Sequence, residues 1–298
     1  MTINPNELVD PEFFSRLSSI ELRARSVVEG FMQGLHRSPF VGFSVEFNSH
    51  REYVPGDDLR HVNWKLYARN RRLYVKEFNA ETNMNLYIML DVSGSMECGS
   101  KGRTKLHYGS SLAAALAHLA LKQRDAVGVT LFADEVVSHL RPSAKSHQLH
   151  EILQTIATTT TRPTSNAARA LHQSAELAQH RGMVVIISDL FDDVPAIVDG
   201  IDHMQFRNHE VLLFQILDPW ERDLPLSGNI CFRDMETGAE ITTQAESVRE
   251  QYLDSMNQWR QELSNECLSR NVDRVELTTD DPLDQALLDY WVKRSQNL

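Results

Sequence analysis

Asp91, Ser93 and Ser95 stand at alternate positions after the apolar run Leu86-Tyr87-Ile88-Met89-Leu90, with Gly94 between the two hydroxyls. All three side chains are hard oxygen donors. A tight turn at Gly94 aims them at one point, and magnesium suits that donor set: it takes near-octahedral oxygen ligation at roughly 2.0–2.1 Å and keeps several waters. The preceding run carries no charge and has the length of one strand buried on both faces. Strands of that kind make open parallel sheets, which bind their ligands in the crevice outside the carboxyl ends of the strands. The same residues also suit a turn and a helix cap, so the surrounding elements have to discriminate.

Those elements alternate. Thr104 to Gln123 carries Leu106, Leu112, Ala113, Leu116, Leu119 and Ala120 on one stripe and reads as a helix. Ala126 to Phe132 reads as a strand, and Val136 to Leu140 as its hairpin partner at the sheet edge. Helices are expected over Lys145–Ala157 and Asn166–His180, then the apolar strand Met183 to Asp189, a helix over Pro195–Phe206 and the strand Val211 to Asp218. A small β insertion near 224–243 interrupts the pattern; a long helix from Ala245 to Arg270, a strand Val272 to Leu277 and a terminal helix from Pro282 to Lys293 close it. Alternation of this kind predicts a doubly wound, mostly parallel α/β sheet.

Residues 1–81 read as an α+β extension ahead of a domain over 82–298. Apolar residues between Asp10 and His36 recur near helical spacing, and Gly42 to Tyr53 has the texture of short strands ending at Pro55-Gly56. Asp57 or Asp58 is then placed to cap a short helix with Leu59, Val62 and Leu66 on one face. Lys65, Arg69, Arg71, Arg72 and Lys76, interleaved with Trp64, Tyr67 and Tyr74, form a basic and aromatic cluster of a type that grips phosphate or single strands. Against nucleic acid stand Asp57, Asp58, Glu77 and Glu81 nearby and a formal charge of −11 over the 298 residues.

The composition, 42% hydrophobic and 24% charged, is that of an ordinary globular protein. Cys98, Cys231 and Cys267 have no C-x-x-C spacing, which indicates neither a disulfide framework nor a zinc cluster and fits a reducing compartment. The opening residues lack the charged and apolar regions of a signal peptide, and no stretch approaches the roughly 20 apolar residues of a membrane span. A cytoplasmic protein without membrane insertion is expected.

The strand followed by D-x-S-x-S resembles the metal-ion-dependent adhesion site of von Willebrand factor type A domains. The block from Glu46 to Arg69 is similar to the E-F-x-x-x-R-x-Y-x-x-G-D-D-x-R-x-x-x-W-x-x-x-A-R hallmark of the bacterial domain-of-unknown-function family fifty-eight, where it stands just ahead of a von Willebrand A-like domain. The resemblance implies two further contributions to the metal. One is a loop hydroxyl: counting back from Ala170-Leu171 puts Ser165 on that position, and a one-residue slip gives it to Thr164. The other is Asp189, acting through a water. A cation held by Asp91, mostly neutral hydroxyls and Asp189 keeps positive character and an exchangeable position, which makes it a receptor for a partner's carboxylate.

Family members are commonly encoded beside MoxR-type AAA+ ATPases, so the resemblance further implies an adaptor or co-chaperone of such an ATPase. Arg51, Arg60, Trp64 and Arg69 are the residues expected to face that partner, with Asp57 and Asp58 pairing arginines to hold the extension. The expected protein is a non-enzymatic binding module carrying Mg2+ or Mn2+. The rival is a haloacid-dehalogenase-like, magnesium-dependent phosphohydrolase whose acidic pair Asp189, Asp192 and Asp193 could imitate. It requires a second aspartate two places after Asp91 as general acid and base, where Ser93 stands.

Overall fold

A computed structural model of the protein describes residues 45–53, 63–80, 84–100, 102–163, 166–234, 238–283 and 287. They fall into two compact units that part between Ala80 and Met84. In the smaller unit, strands β1 (Val45–Glu52) and β2 (Tyr74–Ala80) pair antiparallel with a bulge between Phe47 and Ser49, and helix α1 (Trp64–Asn70) lies between them in sequence. Asn63 caps α1, its side chain accepting the Leu66 N–H at 3.2 Å, and the left-handed Arg71 ends it. Non-helical backbone at Asn63 separates Leu66 from Leu59 and Val62, so the described helix begins later than the Leu59–Leu66 pattern predicts. Asp57, Asp58 and the expected helices before His36 lie outside the described residues.

The larger unit is built on a six-stranded sheet ordered β10-β7-β6-β3-β4-β5. Its strands are β3 (Asn85–Asp91), β4 (Ala126–Phe132), β5 (Val136–Ser143), β6 (Gly182–Ser188), β7 (Glu210–Leu217) and β10 (Asp273–Thr278). All neighbours run parallel except β5, which pairs antiparallel with β4 at the edge. Between them run α2 (Lys105–Lys122), α3 (Gln148–Ala157), α4 (Ala167–Leu177), α5 (Val194–Phe206), α6 (Pro219–Asp223) and α7 (Ala245–Ser269). A hairpin of β8 (Asn229–Arg233) and β9 (Glu240–Gln244) forms the β insertion. The mixed α/β, mostly parallel architecture is the one the alternation predicts.

Strand residues divide their side chains between two cores by the period of two. Tyr87, Met89, Val184, Ile186 and Leu213 pack with Leu171, Ile197, Ile201 and Leu263 of α4, α5 and α7. Leu90, Ile187 and Ile216 take the other face, against α2 at Gly109, where an added Cβ would stand 3.1 Å from all three. Burial on both faces is why these strands read as unbroken apolar runs. At Gly182 a Cβ would meet the Asn85 carbonyl oxygen at 2.1 Å, so only glycine lets β6 begin beside β3. No helix among the described residues is long and apolar enough to cross a membrane.

Candidate metal centre

The chain leaves β3 for β4 on one side and later reaches β6 on the other, so the strand order reverses between β3 and β6. Helices diverge at such a point and leave a crevice at the carboxyl ends of the strands. Asp91, the last residue of β3, and Asp189, the first after β6, stand at that crevice. Beyond Asp91 a single turn of 3-10 helix over Gly94–Glu97 brings the serines round. Beyond Asp189 the chain turns through Leu190 at φ 56°, an unusual conformation for leucine, with the Leu190 N–H donating to Ser188 Oγ at 2.9 Å.

Asp91 is 2% exposed. Its Oδ1 accepts the Ser93 N–H at 2.8 Å and its Oδ2 accepts the Ser188 hydroxyl at 2.5 Å. No basic side chain pairs with it among the described residues. Burial pushes the Asp91 carboxyl up to about 7, the Asp189 charge adds to the rise, and hydrogen bonds from Ser188 and Ser93 offset only part of it. Ser93 Oγ and Ser95 Oγ are 3.0 Å apart. Adjacent oxygens in an octahedral magnesium shell stand about 2.9 Å apart when each lies roughly 2.0–2.1 Å from the ion. A buried carboxylate lacking a countercharge, beside two hydroxyls at that spacing, fits a hard dication. No group of three or more His, Cys, Asp or Glu among the described residues is placed to hold a metal. The donors at Asp91 are therefore one carboxylate and hydroxyls, a set for magnesium or manganese and not for zinc.

The hydroxyl-rich loop comes to the same edge. The Arg162 N–H donates to the Val92 carbonyl at 2.8 Å, and the Thr161 hydroxyl donates to Glu97. Thr164 and Ser165, which follow, lie outside the described residues. The cap of α4 is Asn166, whose Oδ1 accepts the Arg169 N–H at 2.9 Å, so neither Thr164 nor Ser165 is the residue that caps this helix. Asp192 binds the start of the same helix, accepting the Ala167 N–H at 3.0 Å.

Asp189 carries an ion pair that its position in the sequence did not suggest. Lys105 Nζ stands 2.7 Å from Asp189 Oδ2 and 2.5 Å from Glu221 Oε1. The ammonium also lies 4.9 Å over the Phe191 ring, and the whole Lys105 residue is 0% exposed. Burial works against its charge, but the Asp189 and Glu221 carboxylates outweigh it and hold the amine above the ordinary lysine range. Glu221 belongs to the capping box that starts α6: its Oε2 accepts the Asp218 N–H at 2.8 Å, and Asp218 Oδ1 accepts the Trp220 N–H at 3.0 Å. Phe191 and Trp220, 40% and 49% exposed, follow Asp189 and Asp218 at the same ends of their strands.

Sequence reasoning missed Lys105, Asp218 and Glu221. The spacing of Asp218 and Glu221 is a capping-box signal that could have found α6. Nothing local distinguishes Lys105 from a solvent-facing lysine in a first helical turn. Of the residues expected to face a partner, Trp64 is 57% exposed and packs edge-on to Tyr67 at 6.1 Å. Arg69 is exposed in the last turn of α1, Arg51 lies in β1, and Arg60 is outside the described residues.

The family model described as "Protein of unknown function DUF58" matches residues 49–262. An uncharacterized protein of Mycobacterium tuberculosis is 27% identical over 235 residues, 78% of this chain and 74% of that protein. Two solved structures are similar at low identity. An aerotolerance-related membrane protein from Bacteroides fragilis matches with a TM-score of 0.48 and 18% identity, over 72% of this chain and 100% of that one. The SpRpn10 VWA domain matches with a TM-score of 0.40 and 11% identity, over 69% of this chain and 94% of that one.

Proposed function

Given that the chain belongs to the DUF58 family, we propose that it is a non-enzymatic protein-binding module whose binding edge carries Mg2+ or Mn2+, and that it serves a MoxR-type AAA+ ATPase as adaptor or co-chaperone. One observation carries the metal-binding part of this reading: the buried Asp91 carboxyl, raised by burial and by Asp189, beside two hydroxyls 3.0 Å apart at the point where the strand order reverses. Asp91, Ser93 and Ser95 hold the ion, a hydroxyl from Ser165 or Thr164 completes the protein ligands, and Asp189 acts from further out. A dication bound there supplies an open, positively charged position that takes a carboxylate oxygen from a protein partner. Phe191 and Trp220 at the same strand ends add apolar area of the kind that anchors protein interfaces. Ser93, where phosphoryl transfer would need a carboxylic acid, favours binding over hydrolysis.

The partner reading rests on the signature block and on the exposed Trp64 and Arg69. Affinity purification of the tagged full chain from its native cell, with and without chelator and with Asp91→Ala, tests it. Recovery of an AAA+ ATPase that needs both the metal and Asp91 is the expected result. Recovery unchanged by chelator and by the substitution would remove the metal from the binding mechanism.

A further inference from the structure

A buried lysine is costly unless its charge is matched, and Lys105 is matched twice. One partner, Asp189, faces the metal crevice; the other, Glu221, is fixed in α6 by its bond to the Asp218 N–H and by the Tyr252 hydroxyl, which donates to the Glu221 carbonyl at 2.6 Å. We propose that the Lys105 ammonium is an internal competitor of the metal ion, holding Asp189 away from it, and that Glu221 is the seat to which Lys105 withdraws when the ion binds. This rests on the metal reading of the Asp91 cluster, since it assigns Lys105 a role toward that ion.

The charges show why the two cations exclude each other. Asp91 and Asp189 are buried close enough to repel. Asp189 has Lys105 as its countercharge, while Asp91 has none among the described residues. A dication arriving at Asp91, Ser93 and Ser95 satisfies Asp91 but meets the field of an ammonium already on Asp189. The conflict eases when Lys105 moves wholly onto Glu221, 2.5 Å from its ammonium, and Asp189 turns to the metal's water shell. Metal binding is thereby coupled to α6 and to Trp220 beside Glu221 on it. The Phe191 ring 4.9 Å from the ammonium lies over the same switch. Both exposed aromatics would register the exchange at the surface that a partner meets.

The test is Mn2+ affinity of the full chain, by calorimetry and by electron paramagnetic resonance of the free ion, in four forms. Lys105→Met removes the competitor and should tighten Mn2+ by roughly tenfold, the low end of what changes around metal ligands produce. It should also melt earlier than wild type in chelator and gain more from Mn2+. Lys105→Arg keeps the charge and should keep the wild-type affinity. Glu221→Gln removes the alternative seat and should weaken Mn2+ by roughly tenfold. Effects of opposite sign from Lys105→Met and Glu221→Gln are the signature, because a merely structural ion pair would lose affinity in both. Should Lys105→Met not fold, Glu221→Gln with unchanged affinity overturns the proposal by itself. Wild type and all variants binding equally, with binding abolished by Asp91→Ala, would refute the competitor and leave the metal site standing. Binding by Lys105→Met but not by wild type would do the reverse, leaving Lys105 as the resident cation of a site that otherwise holds no metal.

Discussion

Asp91 and Asp218 occupy equivalent places: each stands at the carboxyl end of a central parallel strand, each is buried, and each leads into a short helical turn. Asp218 accepts four hydrogen bonds, from the Ser100 N–H and hydroxyl, the Thr279 hydroxyl and the Trp220 N–H. Burial pushes its carboxyl up, but the donors from Trp220, Thr279 and Ser100 outweigh it and hold Asp218 below the usual carboxylate range. Asp91 is bonded only by Ser93 and Ser188 among the described residues, has a like charge beside it, and rises to about 7. One aspartate is complete within the chain and ties three loops together. The other has fewer donors among the described residues and a like charge beside it, a shortfall of the kind that accompanies functional sites.

The contrast predicts opposite consequences for the two residues. Asp218→Ala strands several buried donors and should lower unfolding free energy by about 3 kcal/mol or more. Asp91→Asn, in chelator at pH 8, should instead raise it by on the order of 1 kcal/mol, because a buried charge with no countercharge among the described residues is removed. The sign follows from the folded carboxyl lying above its unfolded value: the penalty is absent below about pH 4 and grows as pH rises to about 7. Urea denaturation of both variants at pH 4 and pH 8 checks this. Destabilisation of both to the same extent at pH 8 would erase the distinction.

The loop hydroxyl sharpens the Asp91 side of the comparison. Ser165→Ala should weaken Mn2+ binding by roughly tenfold and Thr164→Ala by less. The reverse order in calorimetry would shift the ligand by one residue.

A third buried aspartate serves as a control far from this crevice in sequence and register. Asp125 precedes β4; one oxygen accepts the Met84 N–H at 3.1 Å and the other has no hydrogen-bond partner among the described residues. Burial pushes it up to about 7, with the Met84 bond lowering it only in part. Stability from this group is therefore full below about pH 4 and is lost as pH rises through about 7. Asp125→Asn should flatten that slope and gain on the order of 1 kcal/mol at pH 8, with metal affinity unchanged. The smallest effect is expected at Trp64, where Trp64→Ala should leave thermal stability nearly unaltered and reduce recovery of the ATPase.

The sheet was legible because burial on both faces writes β3, β6 and β7 as apolar runs, and polar residues at their ends mark where each strand stops. The placement of Asp91, Ser93, Ser95 and Asp189 at or just beyond strand ends was legible for the same reason. Lys105 was not: its partners lie 84 and 116 residues away, on β6's outgoing loop and on α6, and only the sheet order brings them together. The cap of α4 was not legible either, since Thr164, Ser165 and Asn166 all have capping side chains and local spacing does not choose among them. In the smaller unit the aspartates at 57 and 58 obscured Asn63, the residue that starts the described helix.

The most direct measurement is a calorimetric titration of chelator-treated full-length protein with Mn2+ and with Mg2+, alongside Asp91→Ala. One site in the wild type, lost in the variant, is the predicted result. Equal uptake by the two proteins would contradict the assignment of the ion to the Asp91, Ser93 and Ser95 edge.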